Sequence, residues 1–316
     1  MTEALDFERP LVELRHRLEA VEKQIAAHET PELLAQRDRL REELDARTHE
    51  IYGRLSRWQK VQVARVRARP QTLDYLKALF ADFVELHGDR RFGDDPAVVG
   101  GPARLDGRVV MVVGHQRGHD TRESVNRNFG SPHPEGYRKA LRLFRTAEKY
   151  RTPLITFVDT PGAWTALPDE ERGQAWALAE NIGVMADLRT PIVSLVIGEG
   201  GSGGALALSV ADRLLMLEHA VYSVAPSEQV ANILWKDPKL APLAAEAVKL
   251  TAQDLLDLGI VDRVIPEPPG GAHSDYLASA EAVRSVLQNE LDRLDGRDLD
   301  ELLAERYEKY RRIGAV

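Results

Sequence analysis

A glycine-rich segment in the second half of the chain constrains the fold more than any other feature. Residues 191–208 read PIVSLVIGEGGSGGALAL, with five glycines among the seven positions 198–204. The β-branched run Ile192–Ile197 predicts a buried strand that ends at Gly198, and the small residues after the glycines predict a helix. Glycine leaves backbone N–H groups uncovered at the start of that helix, where the peptide dipoles favour a negative oxygen. The segment therefore predicts an anion site, whose oxygen can belong to a phosphate, a tetrahedral intermediate or an enolate.

Composition and charge narrow the class of protein. The chain has 316 residues, 43% of them hydrophobic, which suffices for one sizeable core and a second, smaller unit. It contains no cysteine, which excludes disulfides, thiolate metal sites and a cysteine nucleophile. The net charge of −8 disfavours general nucleic-acid binding. Met1–Asp6 does not resemble a signal peptide, and no apolar run approaches the roughly 20 residues of a membrane span. We therefore expect a cytoplasmic protein that makes no membrane contact.

The first 70 residues have a helical pattern. Apolar residues recur every three or four positions from Leu11 to Ile25, and Thr30-Pro31 predicts the start of another helix with Thr30 as its N-cap. Two or three helices packed as an antiparallel hairpin would bury this narrow apolar stripe. We therefore predict an N-terminal helical extension over residues 1–70, of a kind typical of interaction arms, and an α/β domain over residues 71–316.

Two stretches of the chain are strongly basic. Arg54–Arg69 has six basic residues and no acid, and Arg138–Arg151 has six basic residues against one glutamate. A solvated helix face is one interpretation of each stretch. Contact with an anionic ligand or a partner subunit is the other.

After residue 70 the chain alternates strands and helices. This order predicts an α/β fold with parallel strand pairs, whose loops cluster at the carboxyl ends of the strands. Asp106-Gly107, between two apolar segments, predicts a hairpin turn. The predicted strands are Ala97–Leu105, Arg108–His115, Leu154–Asp159, Ile192–Ile197, Arg213–Leu217, Val221–Val224 and Ile260–Ile265. The predicted helices cover residues 70–86, 135–150, 171–188, 243–250, 275–293 and 298–312.

The glycine segment fits a dinucleotide-binding pattern. Gly198, Gly200 and Gly203 match the GxGxxG arrangement after a strand, and Glu218 follows 20 residues after the first of them. That arrangement normally follows the first strand of its domain, however, whereas several strands precede it here. Five glycines also exceed what a pyrophosphate turn needs.

Two catalytic readings compete with nucleotide binding. Ser202 lies in a GxSxG pattern typical of serine hydrolases, for which His219 and His273 are the only downstream histidines. Alternatively, the backbone N–H groups form an oxyanion hole that stabilises negative charge on a carbonyl oxygen without a side-chain nucleophile. In such a site a Cβ would block the approach of the substrate. A binding protein that merely kept the fold would not need the glycines.

Several segments in a fixed order resemble those of a known family. The chain is similar, over essentially its whole length, to the α subunits of bacterial acetyl-CoA carboxylase carboxyltransferases, which belong to the crotonase (ClpP-like) superfamily. The resemblance implies an α/β, crotonase-like spiral of ββα units with an N-terminal α-helical extension. The segments that carry it begin at Gly114 (GHQRG), Arg127 (RNFG), Pro134 (PEGYRKALRL), Phe157 (FVDTPGA), Glu170 (EERGQ), Ile197 (IGEGGSGGALAL), Ile233 (ILWK) and Ile265 (IPEPPGGAH).

The resemblance implies a reaction for the glycine segment. In this family a carboxyl group passes from carboxybiotin, held on a biotin carboxyl carrier protein, to acetyl-CoA, giving malonyl-CoA for fatty acid synthesis. The backbone N–H groups of Gly203 and Gly204 would form the oxyanion hole for the ureido oxygen of biotin, with Gly200 and Gly201 shaping the turn. Ser202 would then be a turn residue. A different acyl-CoA acceptor, such as propionyl-CoA, remains an alternative.

The resemblance also implies roles for other residues. Gly162 and Ala163 would line the substrate site. Arg138 and Lys139 would lie near the phosphates of CoA, although a helix-surface position explains their charge equally well. We expect His115 and Gln116 to form a core polar pair, and Trp235 to pack in the core or at a subunit contact.

The expected assembly contains more than this chain. The family's zinc ribbon needs four cysteines, so we expect it on a β subunit and expect no metal here. The resemblance implies an α2β2 heterotetramer, inactive without β, which works with the biotin carboxyl carrier protein and a biotin carboxylase. Biotin would lie on the α side of the site, and CoA largely on the β side. Trp164–Pro168 and Pro226–Gln229 lack glycines that the family often has there, so the walls of the biotin pocket are expected to differ.

Overall fold

The structure is a computed structural model that describes residues 5–314. Residues 1–4 and 315–316 lie outside the described part. Most of the segment on which the signal-peptide expectation depends therefore lies outside it, as do the outer limits of both predicted domains. Within the described part, no helix is both long enough and apolar enough to cross a bilayer.

A single sheet of eight strands forms the centre of the molecule. The strands follow the order β1-β2-β3-β4-β5-β6-β8, and β7 pairs with the carboxyl half of β5. Pairing is antiparallel from β1 to β3 and parallel from β3 through β8. The strands are β1 (Phe80–Ala81), β2 (Val98–Leu105), β3 (Arg108–His115), β4 (Leu154–Thr160), β5 (Ile192–Gly201), β6 (Arg213–Leu217), β7 (Val221–Ser223) and β8 (Arg263–Ile265).

Helices cover the sheet, and the first helices of the chain form an extension that precedes it in sequence. They are α1 (Arg9–Ala27), α2 (Pro31–Tyr52), α3 (Arg57–Ala64), α4 (Thr72–Leu79), α5 (Thr121–Asn126), α6 (Pro134–Tyr150), α7 (Leu167–Glu171), α8 (Gln174–Asp187), α9 (Ser202–Leu206), α10 (Ser227–Trp235), α11 (Ala241–Val248), α12 (Ala252–Asp257), α13 (Tyr276–Leu294) and α14 (Leu299–Arg312). Short 3-10 turns lie at Asp6–Glu8, Asn128–Gly130 and Pro238–Leu240. Side-chain caps fix several helix starts, including Thr30 of α2 and Asp275 of α13.

The main core lies on both sides of β4 and β5. Every residue of these two strands is buried, as expected for central parallel strands covered on both faces. Helix α6 buries Tyr137, Leu143 and Phe144 against the sheet, and Tyr75 of α4 stacks on Phe157 with ring centroids 5.7 Å apart. The carboxyl ends of β4 and β5 are therefore held on a rigid support.

The predicted hairpin is confirmed. β2 and β3 pair antiparallel from Leu105–Arg108 outward, and both Asp106 and Gly107 have positive φ, as a tight two-residue turn requires. The predicted strand at Ile192, in contrast, was too short. It continues to Gly201 because Gly200 pairs with Thr160 of β4 and with Tyr222 of β7.

Several helix predictions were wrong in length. The helix predicted over 171–188 is α8, which begins three residues later at Gln174, because the chain turns at Gly173, whose φ is +83°. The helix predicted to reach residue 86 ends at Leu79, where the chain enters β1. The helix expected after the glycines has only five residues. The helices α5, α10 and α12 were missed, because segments of six to nine residues are too short to show a helical period clearly.

The N-terminal helices form the expected antiparallel hairpin, and the next helix joins it to the sheet domain. Arg41 of α2 donates to Glu22 of α1 at 2.7 Å across the hairpin. The hairpin buries small apolar clusters of its own. Helix α3 instead packs Val61 and Ala64 against apolar residues of the sheet domain. The basic stretch that contains α3 therefore lies along the sheet domain, and three of its arginines pair with acids of that domain: Arg57, Arg65 and Arg69.

The deepest of these pairs joins Arg69 to Glu267. The guanidinium donates to both carboxylate oxygens, at 2.7 and 2.8 Å, and to the carbonyl of Ile197 at the end of the apolar run. The backbone amides of His219 and Ala272 complete the carboxylate's hydrogen bonds. Burial alone would raise the pKa of Glu267, but the Arg69 charge outweighs it and lowers the pKa to about 2. This pair fixes the end of the extension beneath β5.

We predict that Glu267→Gln destabilises the fold by roughly 3–5 kcal/mol at pH 7, because Arg69 would keep a buried charge without a counter-ion. The native pKa of Glu267 is depressed from 4.5 to about 2, so its contribution is present above pH 4.5 and is lost as the pH falls from 4.5 towards 2. Urea unfolding of the variant should show a shallower decline over that range than the wild type.

The control is Glu305→Gln, which removes an exposed ion pair with Arg297 and should change the unfolding free energy by less than about 1 kcal/mol. Equal stability of the two variants would contradict the role given to the buried pair.

Candidate active site

The glycine turn begins where β5 ends. Gly201 is the last strand residue, and Ser202, Gly203 and Gly204 form the first turn of α9. Amides in the first turn of a helix have no acceptor within that helix, and among residues 5–314 neither Gly203 nor Gly204 donates its amide to an acceptor outside it. Because α9 has only five residues, the attraction for an anion comes from these N–H groups themselves rather than from a long helix dipole.

Most glycines of the segment are required by contacts within the protein. A Cβ at Gly200 would overlap the ring of Tyr222, and one at Gly201 would overlap the Pro161 carbonyl. At Gly204 it would lie 2.5 Å from the Ala163 amide nitrogen. Gly201 and Gly204 are glycine because two backbones meet, and Gly200 because a ring packs on it. Contacts within the protein therefore explain these three glycines, which corrects the expectation that substrate approach required them.

Gly203 is different from its neighbours. A Cβ there would meet only Leu178 Cδ1, at an ordinary 3.6 Å. The residue is half-buried and has no positive φ. The protein's own packing therefore leaves the side of Gly203 open, and its lack of a side chain has no internal explanation.

The loop after β4 lies directly against the glycine turn. Gly162 has φ +142°, and the Thr160 hydroxyl accepts from the Gly162 amide and donates to its carbonyl, both at 3.0 Å. This local ring orients Ala163 towards Gly204. The structure therefore brings together six residues that the sequence predicted for the site: Gly162, Ala163, Gly200, Gly201, Gly203 and Gly204.

Arg138 and Lys139, expected either near the phosphates of CoA or on a helix surface, are both bonded to groups of the protein itself. Lys139 is fully buried, and its ammonium donates to Asp94 Oδ1 at 2.6 Å and to the Asp95 carbonyl at 2.7 Å. The Arg138 guanidinium donates to Asp89 at 2.8 Å and to Glu135 at 2.7 Å. A CoA phosphate would have to displace these carboxylates. Both cations instead tie α6 to the loop before β2.

Two buried aromatic side chains, Tyr137 and His115, lie beneath the turn. Neither of them was assigned to the site from the sequence. Among residues 5–314 the Tyr137 hydroxyl has no hydrogen-bond partner, and it is 2.7 Å from where a Gly204 Cβ would lie. The His115 ring faces the carbonyl oxygens of Phe157 and Gly204, and burial lowers the pKa of His115 to about 3. Both side chains are therefore neutral at pH 7 and inaccessible. A tyrosine in the helical pattern of α6 carries no sequence signal beyond core packing.

The expected pair of His115 and Gln116 does not form. Both side chains are buried, but Gln116 donates to Gln71 at 2.8 Å and accepts from the Leu73 amide. Trp235 is partly exposed at the end of α10, so core packing does not explain it, and a subunit contact stays a prediction.

Acids and bases form a network at the carboxyl ends of the strands. The Arg117 guanidinium donates to Asp159 at 3.2 Å and to Glu199 at 2.9 Å, and Arg65 donates to the other oxygen of Glu199 at 2.7 Å. Arg65 also donates to Glu228 at 2.5 Å. Burial raises the pKa of Asp159 in spite of the Arg117 charge. Sequence reasoning missed this network, although an acid inside a buried apolar and glycine run was a signal for it.

The competing readings of the glycine segment gain no support. His219 and His273 both lie against Glu267, and no hydrogen bond among the described residues joins Ser202 to a histidine. Glu218 accepts from the Glu267 amide, and the first glycines continue a strand rather than form a pyrophosphate turn. Nowhere in residues 5–314 do three or more histidine or carboxylate side chains cluster as metal ligands would.

Comparisons with known proteins agree with this geometry. Residues 4–314 match the family described as acetyl co-enzyme A carboxylase carboxyltransferase-like. The chain is 51% identical over 312 residues to the acetyl-coenzyme A carboxylase carboxyl transferase subunit alpha of Bacillus cytotoxicus, covering 99% of this chain and 96% of the relative. It is 52% identical over 311 residues to the subunit of the same name from Pseudomonas aeruginosa, covering 98% of each. The solved structure of transcarboxylase 12S superposes with a TM-score of 0.60 at 19% identity, covering 73% of this chain and 42% of that one.

The fold is of the crotonase type. The sequence relationship is more specific than the fold. The chain belongs to the family of acetyl-CoA carboxylase carboxyltransferase α subunits, which are components of a biotin-dependent enzyme.

We predict that Gly203→Ala leaves the fold intact but lowers the carboxyltransferase kcat of the assembled enzyme by about 10²-fold, the effect of disturbing an oxyanion-hole donor. The added methyl fits the protein and obstructs only what approaches from outside. The matched control is Gly183→Ala in α8, where a Cβ also meets open space. Thermal unfolding should place both variants within about 1 kcal/mol of each other. Similar activity in both would show that Gly203 does not meet a substrate.

Ser202 provides a separate prediction. Its φ of +52° places it in the left-handed region, and its side chain is exposed. If Ser202 is only a turn residue, Ser202→Ala and Ser202→Gly should each keep kcat within about twofold of the wild-type value, because neither variant changes a backbone donor. Loss of a nucleophile would instead lower kcat by more than about 10³-fold in steady-state assays, and that result would restore the hydrolase-like reading.

Proposed function

We propose that this chain contributes the biotin half of a carboxyltransferase active site, in which the amides of Gly203 and Gly204 donate hydrogen bonds to the ureido oxygen of biotin. The observation that carries the proposal is Gly203, whose open side and free amide no internal contact explains. Donors placed where negative charge develops lower a barrier by several kcal/mol, because the protein needs no reorganisation during the reaction.

The residues around the turn fit such a ligand. A neutral or negative oxygen can accept from two adjacent amides only if no side chain covers them, and the glycines meet that condition. Gly162 and Ala163 form one wall, and the Tyr222 ring supports the strand behind Gly200. Carboxybiotin on its carrier protein would supply the carboxyl group and, after its release, a ureido nitrogen that can take a proton from the acyl-CoA methyl.

This chain's part is then to bind and orient rather than to move protons. His115 and Tyr137 beneath the turn are buried and neutral at pH 7, so neither supports an acid–base step. The proposed roles are hydrogen-bond donation by Gly203 and Gly204 and shaping of the turn by Gly200 and Gly201, which pack against Tyr222 and Pro161. The fixed β4 and β5 strands keep these groups in place before the substrate arrives.

The enolate of the acyl-CoA needs a second set of donors, which we propose lies on the β subunit together with most of the CoA site and the zinc ribbon. Acetyl-CoA is the proposed acceptor, by similarity to the named relatives. We further propose an α2β2 assembly in the cytoplasm. Its carboxybiotin would be delivered by a carrier protein that a biotin carboxylase has loaded.

The test is reconstitution. The chain alone, the β subunit alone and the two together are assayed for malonyl-CoA formation from acetyl-CoA and carboxylated carrier protein. We expect transfer only in the mixture, with a kcat/KM for acetyl-CoA at least tenfold above that for propionyl-CoA. Transfer by the isolated chain would contradict the divided site, and a preference for propionyl-CoA would reassign the acceptor while leaving the biotin half unchanged.

A further inference from the structure

The N-terminal extension reaches the strand that carries the glycine turn. Arg65 follows α3 directly, and its Nε donates to Glu199 Oε1 at 2.7 Å. Glu199 is the residue between Gly198 and Gly200 in β5. A side chain from the extension is therefore bonded to a residue only four positions before Gly203.

Glu199 holds this part of β5 in place. Positions 198, 200 and 201 have no side chains to anchor the strand, whereas the Glu199 carboxylate is buried and bonded to Arg65 and Arg117. Its backbone amide donates to Asp159 Oδ1 at 3.0 Å, across to the end of β4. Charge-assisted hydrogen bonds of this kind are the strongest available to fix a backbone that has no apolar side chains.

Arg65 also connects the strand to a third element. Its guanidinium donates to both oxygens of Glu228 in the first turn of α10, at 2.5 and 3.3 Å. Glu228 lies in the segment Pro226–Gln229, which begins α10. Its carboxylate therefore joins this helix to the network at the end of β5.

We propose that Arg65 is a positioning residue for the glycine turn, acting through Glu199, so that the N-terminal extension is a working part of the active site and not only an interaction arm. The inference rests on the proposed function of the turn. Without Arg65, Glu199 would keep Arg117 alone, and the strand end could relax towards solvent. A displacement of about 1 Å at a catalytic group costs on the order of 10²-fold in rate.

The chain offers a matched control for this inference. Arg57 lies on the same helix and makes similar ion pairs, with Glu246 at 2.7 Å and Asp254 at 2.6 Å, but these acids belong to α11 and α12 rather than to β5. Arg57→Ala therefore removes a comparable attachment of the extension without touching the turn.

The experiment compares Arg65→Ala, Arg65→Lys and Arg57→Ala in the assembled α–β enzyme. We expect Arg65→Ala to lower kcat by 10- to 100-fold with KM for acyl-CoA changed less than twofold, and Arg65→Lys to recover part of the loss. Arg57→Ala should keep kcat within twofold at a similar melting temperature. Equal kcat values for the two alanine variants, or losses that follow the melting temperature, would overturn the inference.

Two further measurements separate this inference from the proposed function. Glu199→Gln combined with Arg65→Ala should lose no more activity than the worse single variant, because by this inference Arg65 acts on the turn only through Glu199. Multiplied losses would overturn the inference. Hydrogen exchange of the amides in 198–204, measured without any substrate, should be faster in Arg65→Ala than in Arg57→Ala. If exchange in Arg65→Ala is unchanged, the positioning role is overturned even when the wild-type enzyme transfers carboxyl groups. If exchange is faster but the wild-type enzyme is inactive, only the proposed function is overturned.

Discussion

The site depends on the close approach of two backbones at the ends of β4 and β5. The loop Pro161–Ala163 lies against Gly201 and Gly204 at distances that no Cβ would allow. Both strands are buried along their whole length, so the rest of the sheet fixes this contact. It aligns the first-turn amides while leaving one face of Gly203 open. The chemistry proposed for the chain follows from that geometry, because uncovered amides on a rigid support stabilise an oxygen as it becomes negative.

Charged side chains at the ends of the strands are bonded to one another and support this backbone. Arginines at the end of the extension form ion pairs with acids of the sheet domain. These acids include Glu267 beneath β5 and Glu199 within it. Lys139 is likewise committed to Asp94. An enzyme chain whose buried charges are paired internally has few groups left for acid–base work. This accords with a site that is completed by a second subunit and by the substrates themselves.

The sequence predicted the parts of the fold that local patterns control. The Asp106-Gly107 hairpin, the strand positions and the two glycine loops follow from periodicity and turn chemistry. The extent of β5 did not, because glycine carries no period and its partner Tyr222 lies on another strand. The partners of Lys139 and the role of Arg65 could not be predicted either, since each acid that binds them is distant in sequence. Family resemblance indicated the glycines that we propose for the oxyanion hole, but not the network behind them.

The most direct test of the account observes the two amides themselves. The chain is labelled with glycine that carries 15N and a 13C carbonyl, assembled with its β subunit, and titrated with biocytin. The Gly203 signal is identified by its loss in the Gly203→Ala variant, and the Gly204 signal by the loss of its coupling to the carbonyl carbon of residue 203. Hydrogen bonding to the ureido oxygen should move both amide protons downfield in a saturable manner, with Gly183 unchanged. Saturable binding that leaves both signals in place and shifts others would contradict the claim that these amides form the oxyanion hole.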